Sequence, residues 1–169
     1  SGKSLMIYSI VRYFVEKGKN TLIVVPTTSL VEQMYKDFSD YGWDVGSFCH
    51  KIYAGKERET DSQVIITTWQ SIYKLPRKYF ERFSVVIGDE AHQFKSKSLI
   101  SIMTKLADAK YRYGFTGTLD GTQTHKWVLE GLFGPSYKII KTEELMKKGH
   151  VATLDINVLL LKHSPNKFE

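Results

Sequence analysis

Ser84-Val85-Val86-Ile87-Gly88-Asp89-Glu90-Ala91-His92 is the stretch that most limits what this chain can become. Three β-branched residues in succession read as a strand buried in a sheet. The pattern predicts that Gly88 ends the run, with two adjacent acids and a histidine immediately beyond it. In an open α/β sheet, ligands bind just past the carboxyl ends of the strands. This strand end is therefore the expected place to hold a metal-bound nucleotide.

The rest of the chain repeats strand and helix around it. Residues 5–15 contain neither Gly nor Pro and read as a buried helix that ends near Gly18. Residues 21–25 form a strand stopped by Pro26, after which Thr27, Thr28 or Ser29 can cap a helix running to Phe38. A turn over 42–46 leads to a strand at 47–53, and residues 54–62 are a polar, exposed loop. The next strand spans 63–68, Trp69 opens a short helix, and Pro76 interrupts before residues 78–83. Past His92 the pattern predicts a helix through Leu99 and Leu106, a strand at 111–115, and a helix from about Thr124 to Leu132. A turn at Gly134-Pro135 precedes an apolar stretch at 137–140, a short helix at 142–148 and a last strand at 155–161. Such alternation predicts an α/β chain, doubly wound, with a mostly parallel sheet and helices on both faces. At 169 residues the whole is expected to be one domain.

Composition narrows the partners. Lys and Arg number 24 against 18 Asp and Glu, a formal charge of +6, which fits a polyanionic partner such as nucleic acid. Cys49 is the single cysteine, which excludes an internal disulfide and fits a reducing, intracellular (cytoplasmic) compartment. No apolar run approaches the ~20 residues that span a membrane.

Ser1-Gly2-Lys3-Ser4 opens the sequence at a helix start. Gly-Lys-Ser there is the second half of a phosphate-binding loop, in which backbone N–H groups cradle phosphate oxygens. Lys3 would reach the β- and γ-phosphates and the Ser4 hydroxyl would meet Mg²⁺. The loop's first glycine and the strand that feeds it are not in the sequence, so the chain is expected to be a piece cut within that loop. Paired with this early motif, Asp89 is placed to hold the metal ion, and Glu90 to orient and deprotonate an attacking water.

Asp89-Glu90-Ala91-His92 resembles the D-E-A-H form of the Walker B motif of superfamily-two helicases and translocases. Ser1 to Ser4 resemble the end of motif I, residues 25–33 motif Ia, residues 67–71 motif Ib, and Thr116-Gly117-Thr118 motif III. The segments Leu132-Phe133-Gly134-Pro135 and 142–149 are similar to the end of the first RecA-like domain in the restriction-subunit, XPB-like and phage UvsW-type enzymes. The resemblance implies a RecA-like P-loop fold and an ATP-dependent DNA helicase or translocase of recombination and repair, of bacterial or phage origin. It further implies ATP and Mg²⁺ as cofactors, with Ser1, Gly2, Lys3 and Ser4 on the phosphates, Ser4 and Asp89 on the metal, and Glu90 as catalytic base. His92, Thr116, Gly117 and Thr118 would couple the nucleotide site to a second RecA-like domain. Pro26, Thr27, Thr28, Thr67, Thr68 and Gln70 would track DNA (single-stranded or branched, or RNA) through its phosphates, which positions without reading sequence. Trp69 is expected to pack rather than to stack on a base. An arginine from the second domain, absent here, contributes roughly three to five orders of magnitude in related NTPases, so this piece alone is expected to be a weak enzyme. Two other readings stand beside this one: the duplex-pumping motor of a restriction-type complex, and a nucleic-acid-binding module without turnover.

Overall fold

The computed structural model describes residues 2–53, 60–94, 96–117, 123–137 and 149. Two compact units divide the chain, 1–136 and 137–169, and every element below belongs to the first. The helix expected at 142–148, the strand expected at 155–161, loop residues 54–59, Ser1 and Thr118 lie outside the described residues.

Five strands form one sheet: β1 (Thr21–Val25), β2 (Cys49–Ile52), β3 (Val64–Thr68), β4 (Val85–Asp89) and β5 (Tyr111–Phe115). Their order is β2-β3-β1-β4-β5 and every described pairing is parallel. Seven helices connect and flank them: α1 (Lys3–Glu16), α2 (Thr28–Asp40), α3 (Val45–Phe48), α4 (Trp69–Ile72), α5 (Arg77–Phe80), α6 (Lys97–Lys105) and α7 (Gln123–Phe133). A single 3₁₀ turn, Ala91–Gln93, follows β4.

The strand side chains alternate between two cores. Ile23, Val25, Val64, Ile66, Val85 and Ile87 pack with Ile7, Val11 and Phe14 of α1 and Val31, Met34 and Phe38 of α2. Leu22, Val24, Ile65 and Val86 pack on the other face with Ile72, Phe80, Leu99, Ile102 and Leu129 from α4 to α7. Each such aliphatic contributes about 1.5–3 kcal/mol by leaving water, so a strand apolar on both faces holds only between two helical layers. The expected doubly wound architecture is borne out. Because all strands run one way, their carboxyl ends share one edge, and there the motif residues gather.

Some expectations need correction. The first helix is not buried all round: Leu5 and Tyr13 are about half exposed and Met6 over a third, while Ile7, Val11 and Phe14 make the inward stripe. It ends as expected, with Gly18 at φ +66°, a left-handed conformation that glycine adopts without a Cβ clash. The strand predicted at 47–53 is shorter, since Asp44 caps α3 by accepting from the Ser47 N–H and β2 begins only at Cys49. Gly88 does not end β4, which continues in register to Asp89, opposite Phe115. Glycine is needed there for room: a Cβ at Gly88 would lie 2.7 Å from Phe94 Cζ and 3.0 Å from Phe133 Cζ.

Candidate nucleotide site

Gly2 is the N-cap of α1, and Lys3 and Ser4 form its first turn, where unpaired backbone N–H groups and the helix dipole favour an anion. Asp89 is the last residue of β4. Glu90, next along, is the one non-glycine residue at positive φ among those described, at φ 49° and ψ 51°. A left-handed glutamate costs of order 1–3 kcal/mol and persists only where its surroundings fix it. Here that conformation turns the carboxylate between two partners. Glu90 Oε1 accepts a hydrogen bond from Lys3 Nζ, and Oε2 stands 3.4 Å from His92 Nδ1. His92 Nδ1 also lies 2.9 Å from Thr116 Oγ1, at the end of β5. Lys3, Glu90, His92 and Thr116 thus form one polar series from α1 across β4 to β5.

Lys3 Nζ lies 3.5 Å from Asp89 Oδ1 as well. Burial alone would lower the ammonium pKa, but the Glu90 hydrogen bond and the charges of Asp89 and Glu90 outweigh it and hold Lys3 above the ordinary lysine value. Asp89 is 8% exposed, and its Oδ1 accepts no hydrogen bond among the described residues. Lys3 Nζ at 3.5 Å compensates that buried oxygen only loosely, and a divalent cation would compensate it better. Ser4 and Asp89 are hard oxygen donors lining one cleft of about 390 Å³, with Lys3, Leu30, Gln33, Met34, Asp37, Tyr41 and Glu90. No cluster of three or more His, Cys, Asp or Glu suited to a metal occurs among the described residues. One carboxylate and one hydroxyl, completed by phosphate and water, is a donor set suited to Mg²⁺.

The other expected residues sit along the same sheet edge. Thr27 caps α2, its Oγ1 accepting from the Leu30 N–H at 3.3 Å, and Thr27 and Thr28 are exposed. Gln70 Nε2 approaches Pro26 O at 3.5 Å and so joins α4 to the turn after β1. Thr67 is wholly buried, with Oγ1 bonded to Thr68 O, and Thr68 Oγ1 pairs with Ser71 Oγ at 2.9 Å. Of these two threonines, neither offers an outward hydroxyl as placed. Trp69 packs edge-on against Tyr73 beside the second core, as expected of a packing residue. Gly117 is exposed.

Asp37 escaped the sequence reading. It accepts the Ser4 hydroxyl at Oδ2, 2.6 Å away. Leu30, Gln33, Asp37 and Tyr41 follow one another at helical spacing beside the buried stripe Val31, Met34 and Phe38. An acid at the margin of an inward stripe was the available signal.

The family model described as "Type III restriction enzyme, res subunit" matches residues 1–121. The chain belongs to this family. The chain is also similar to "ATP-dependent DNA helicase uvsW" of Enterobacteria phage T4, 34% identical over 174 residues, covering 99% of this chain and 34% of that protein. The chain therefore spans about a third of the relative's length. The crystal structure of the UvsW helicase from bacteriophage T4 superposes with a TM-score of 0.70 at 34% identity, over 79% of this chain and 49% of that one. A second T4 UvsW structure gives 0.73 at 33% identity, over 85% and 30%. The Pyrococcus furiosus Hef helicase domain, 22% identical with a TM-score of 0.67 over 80% and 31%, shares the fold. The superfamily-two resemblance carried by the ordered motifs, and the RecA-like fold it implied, are borne out.

Proposed function

We propose that this chain is the first motor domain of an ATP-dependent DNA helicase or translocase acting in recombination and repair. The observation that carries the reading is the meeting of Lys3 with Asp89 and Glu90, 86 and 87 residues apart in sequence, at one strand end. Gly2, Lys3 and Ser4 bind the ATP phosphates, and Ser4 and Asp89 hold Mg²⁺. Held by those two oxygens, Mg²⁺ would supply positive charge against the phosphates. Glu90 is the base: its carboxylate is oriented by Lys3 and His92 and turned by its backbone into the cleft. Lys3, released from the two acids, follows the incoming phosphates.

His92 and Thr116 relay the state of Glu90 to the end of β5 and onward, through Gly117 and Thr118, to a second RecA-like domain of the full chain. Closure and reopening of the two domains step the motor along the strand. Pro26, Thr27, Thr28 and Gln70, with the backbone at Thr67 and Thr68, form a track for DNA phosphates. The exposed Thr27 and Thr28 and the Gln70–Pro26 contact between α4 and the turn after β1 support that placement. The buried thiol of Cys49 fits a reducing intracellular compartment, and no described helix is long and apolar enough to cross a membrane.

The three-way contact of Lys3, Asp89 and Glu90 argues against a binding module that has lost turnover. Glu90→Gln in the full chain tests the assignment. ATP and DNA binding should persist while DNA-stimulated ATP hydrolysis falls by at least about 100-fold, the low end for loss of a general base. Normal turnover in that variant would remove Glu90 as the base.

A further inference from the structure

A serine hydroxyl has one proton to donate and two lone pairs to offer. Ser9, on the same helix as Ser4, donates its proton back to the Leu5 carbonyl at 2.9 Å, the usual local solution for a helical serine. Ser4 does otherwise. Its proton crosses to Asp37 on α2, at 2.6 Å, a length typical of a charge-assisted O–H···O⁻ bond. A carboxylate can only accept, so the direction of this bond is settled, and the Ser4 lone pairs are turned away from Asp37. Ser4 and Asp37 line the cleft that also holds Lys3, Asp89 and Glu90.

We infer that Asp37 is the positioning residue for Ser4, holding its proton so that the oxygen lone pairs face the divalent cation of a bound nucleotide. The inference rests on the proposed ATP reading and adds a residue to it. Without Asp37 the hydroxyl redistributes over three staggered rotamers, and its oxygen faces the cation only part of the time. With Asp37 the Ser4 oxygen is pre-aimed and more basic, as carboxylates behind metal ligands elsewhere make them, where their loss costs about 10–100-fold in metal affinity. Asp37 would act through Ser4 rather than on the phosphate itself.

The test is titration of the full chain with N-methylanthraniloyl-ADP, once with saturating Mg²⁺ and once in EDTA. Asp37→Ala should weaken binding about 10–100-fold with Mg²⁺ and leave the EDTA affinity within about twofold. Asp37→Asn, whose amide oxygen still accepts the hydroxyl proton, should recover most of the loss. In a Ser4→Ala background, Asp37→Ala should add nothing further. Equal losses in both buffers would make Asp37 a packing residue of the α1–α2 contact and overturn the inference. Tighter Mg²⁺-dependent binding in the alanine variant would make it a competitor for Ser4, and an asparagine variant as weak as the alanine would make it a direct ligand; both outcomes overturn it too. A wild-type chain that binds the labelled nucleotide equally with and without Mg²⁺ would instead sink the metal–nucleotide reading itself.

Discussion

Replacing Gly88 by alanine isolates the packing that sets the floor of the site. The new Cβ would stand 2.7 and 2.9 Å from Phe94 Cζ and Cε2, and 3.0 Å from Phe133 Cζ. Carbon atoms rest at about 3.5–4.0 Å, so the Phe94 ring must retreat by most of an ångström. It has nowhere easy to go, because it is 2% exposed and set edge-on to Phe133 at 5.1 Å. Overpacking of this kind costs about 1–3 kcal/mol, and alanine returns roughly 0.5–1 kcal/mol by reducing chain entropy in the unfolded state. At the middle of both ranges the net loss is about 1 kcal/mol, or a fall in Tm of roughly 2–4 °C for a chain of this size. Gly131, inside α7 with nothing within 4 Å of its virtual Cβ, supplies the control. The same substitution there should raise stability by up to about 1 kcal/mol through helix propensity alone. Thermal and denaturant melts of both variants, followed by circular dichroism, measure the two signs. Phe94→Leu combined with Gly88→Ala should be less destabilising than the sum of the single changes, since the ring that clashes is gone. A neutral Gly88→Ala, or strict additivity with Phe94→Leu, would refute the packing argument.

Two further outcomes can be checked on the same preparations. Burial pushes the Cys49 thiol up to about 12 from an ordinary value of 9.0, so across that window only the unfolded state loses the proton and stability must fall as pH rises. Cys49→Ala should flatten that part of the stability–pH curve, and the folded wild type should resist thiol reagents at pH 8; prompt labelling would contradict the burial. Thr116→Val removes the hydroxyl 2.9 Å from His92 Nδ1 while keeping the β-branched shape. On the proposed reading it should lower DNA stimulation of ATPase severalfold and leave nucleotide affinity within about twofold, the range in which a lost hydrogen bond of about 0.5–1.5 kcal/mol is felt in coupling rather than in binding.

The sheet was legible because its information is local. Val85-Val86-Ile87 must be buried on both faces, and only a layer of helices on each side provides that. Lys3, Asp89 and Glu90 could be named because phosphate and metal chemistry belongs at a helix start and a strand end, whereas His92 came only through the resemblance of Asp89-Glu90-Ala91-His92 to the D-E-A-H motif. What stayed hidden depends on side chains from distant elements meeting. Gly88 was read as a terminator because the sequence does not announce that Phe94 and Phe133 cross over it. The motif resemblance puts Thr67 on a nucleic-acid track, but the sequence does not show that its hydroxyl is buried and donates to Thr68 O. Asp37 lay in an ordinary amphipathic helix, and its role depends on the distance between α1 and α2, which no periodicity encodes.

Electrostatics explain why Lys3, Asp89 and Glu90 hold one another. Lys3 brings one positive charge against the two negative charges of Asp89 and Glu90, leaving the strand end net negative. A triphosphate entering that environment is repelled unless a divalent cation comes with it, because Lys3 cannot at once neutralise both acids and the incoming anion. On the proposed reading such a cation would sit at Asp89 Oδ1, which is buried and only loosely compensated by Lys3 Nζ at 3.5 Å. Lys3 would on the same reading leave Glu90, whose carboxylate would then be freed for water while its left-handed backbone keeps it aimed. On this argument the ion and the lysine are exchanged in one event, and nucleotide affinity should depend more steeply on Mg²⁺ in the wild type than in Glu90→Gln, where the site is already one negative charge poorer. Equal Mg²⁺ dependence in the two proteins would show that Lys3 and the cation act independently.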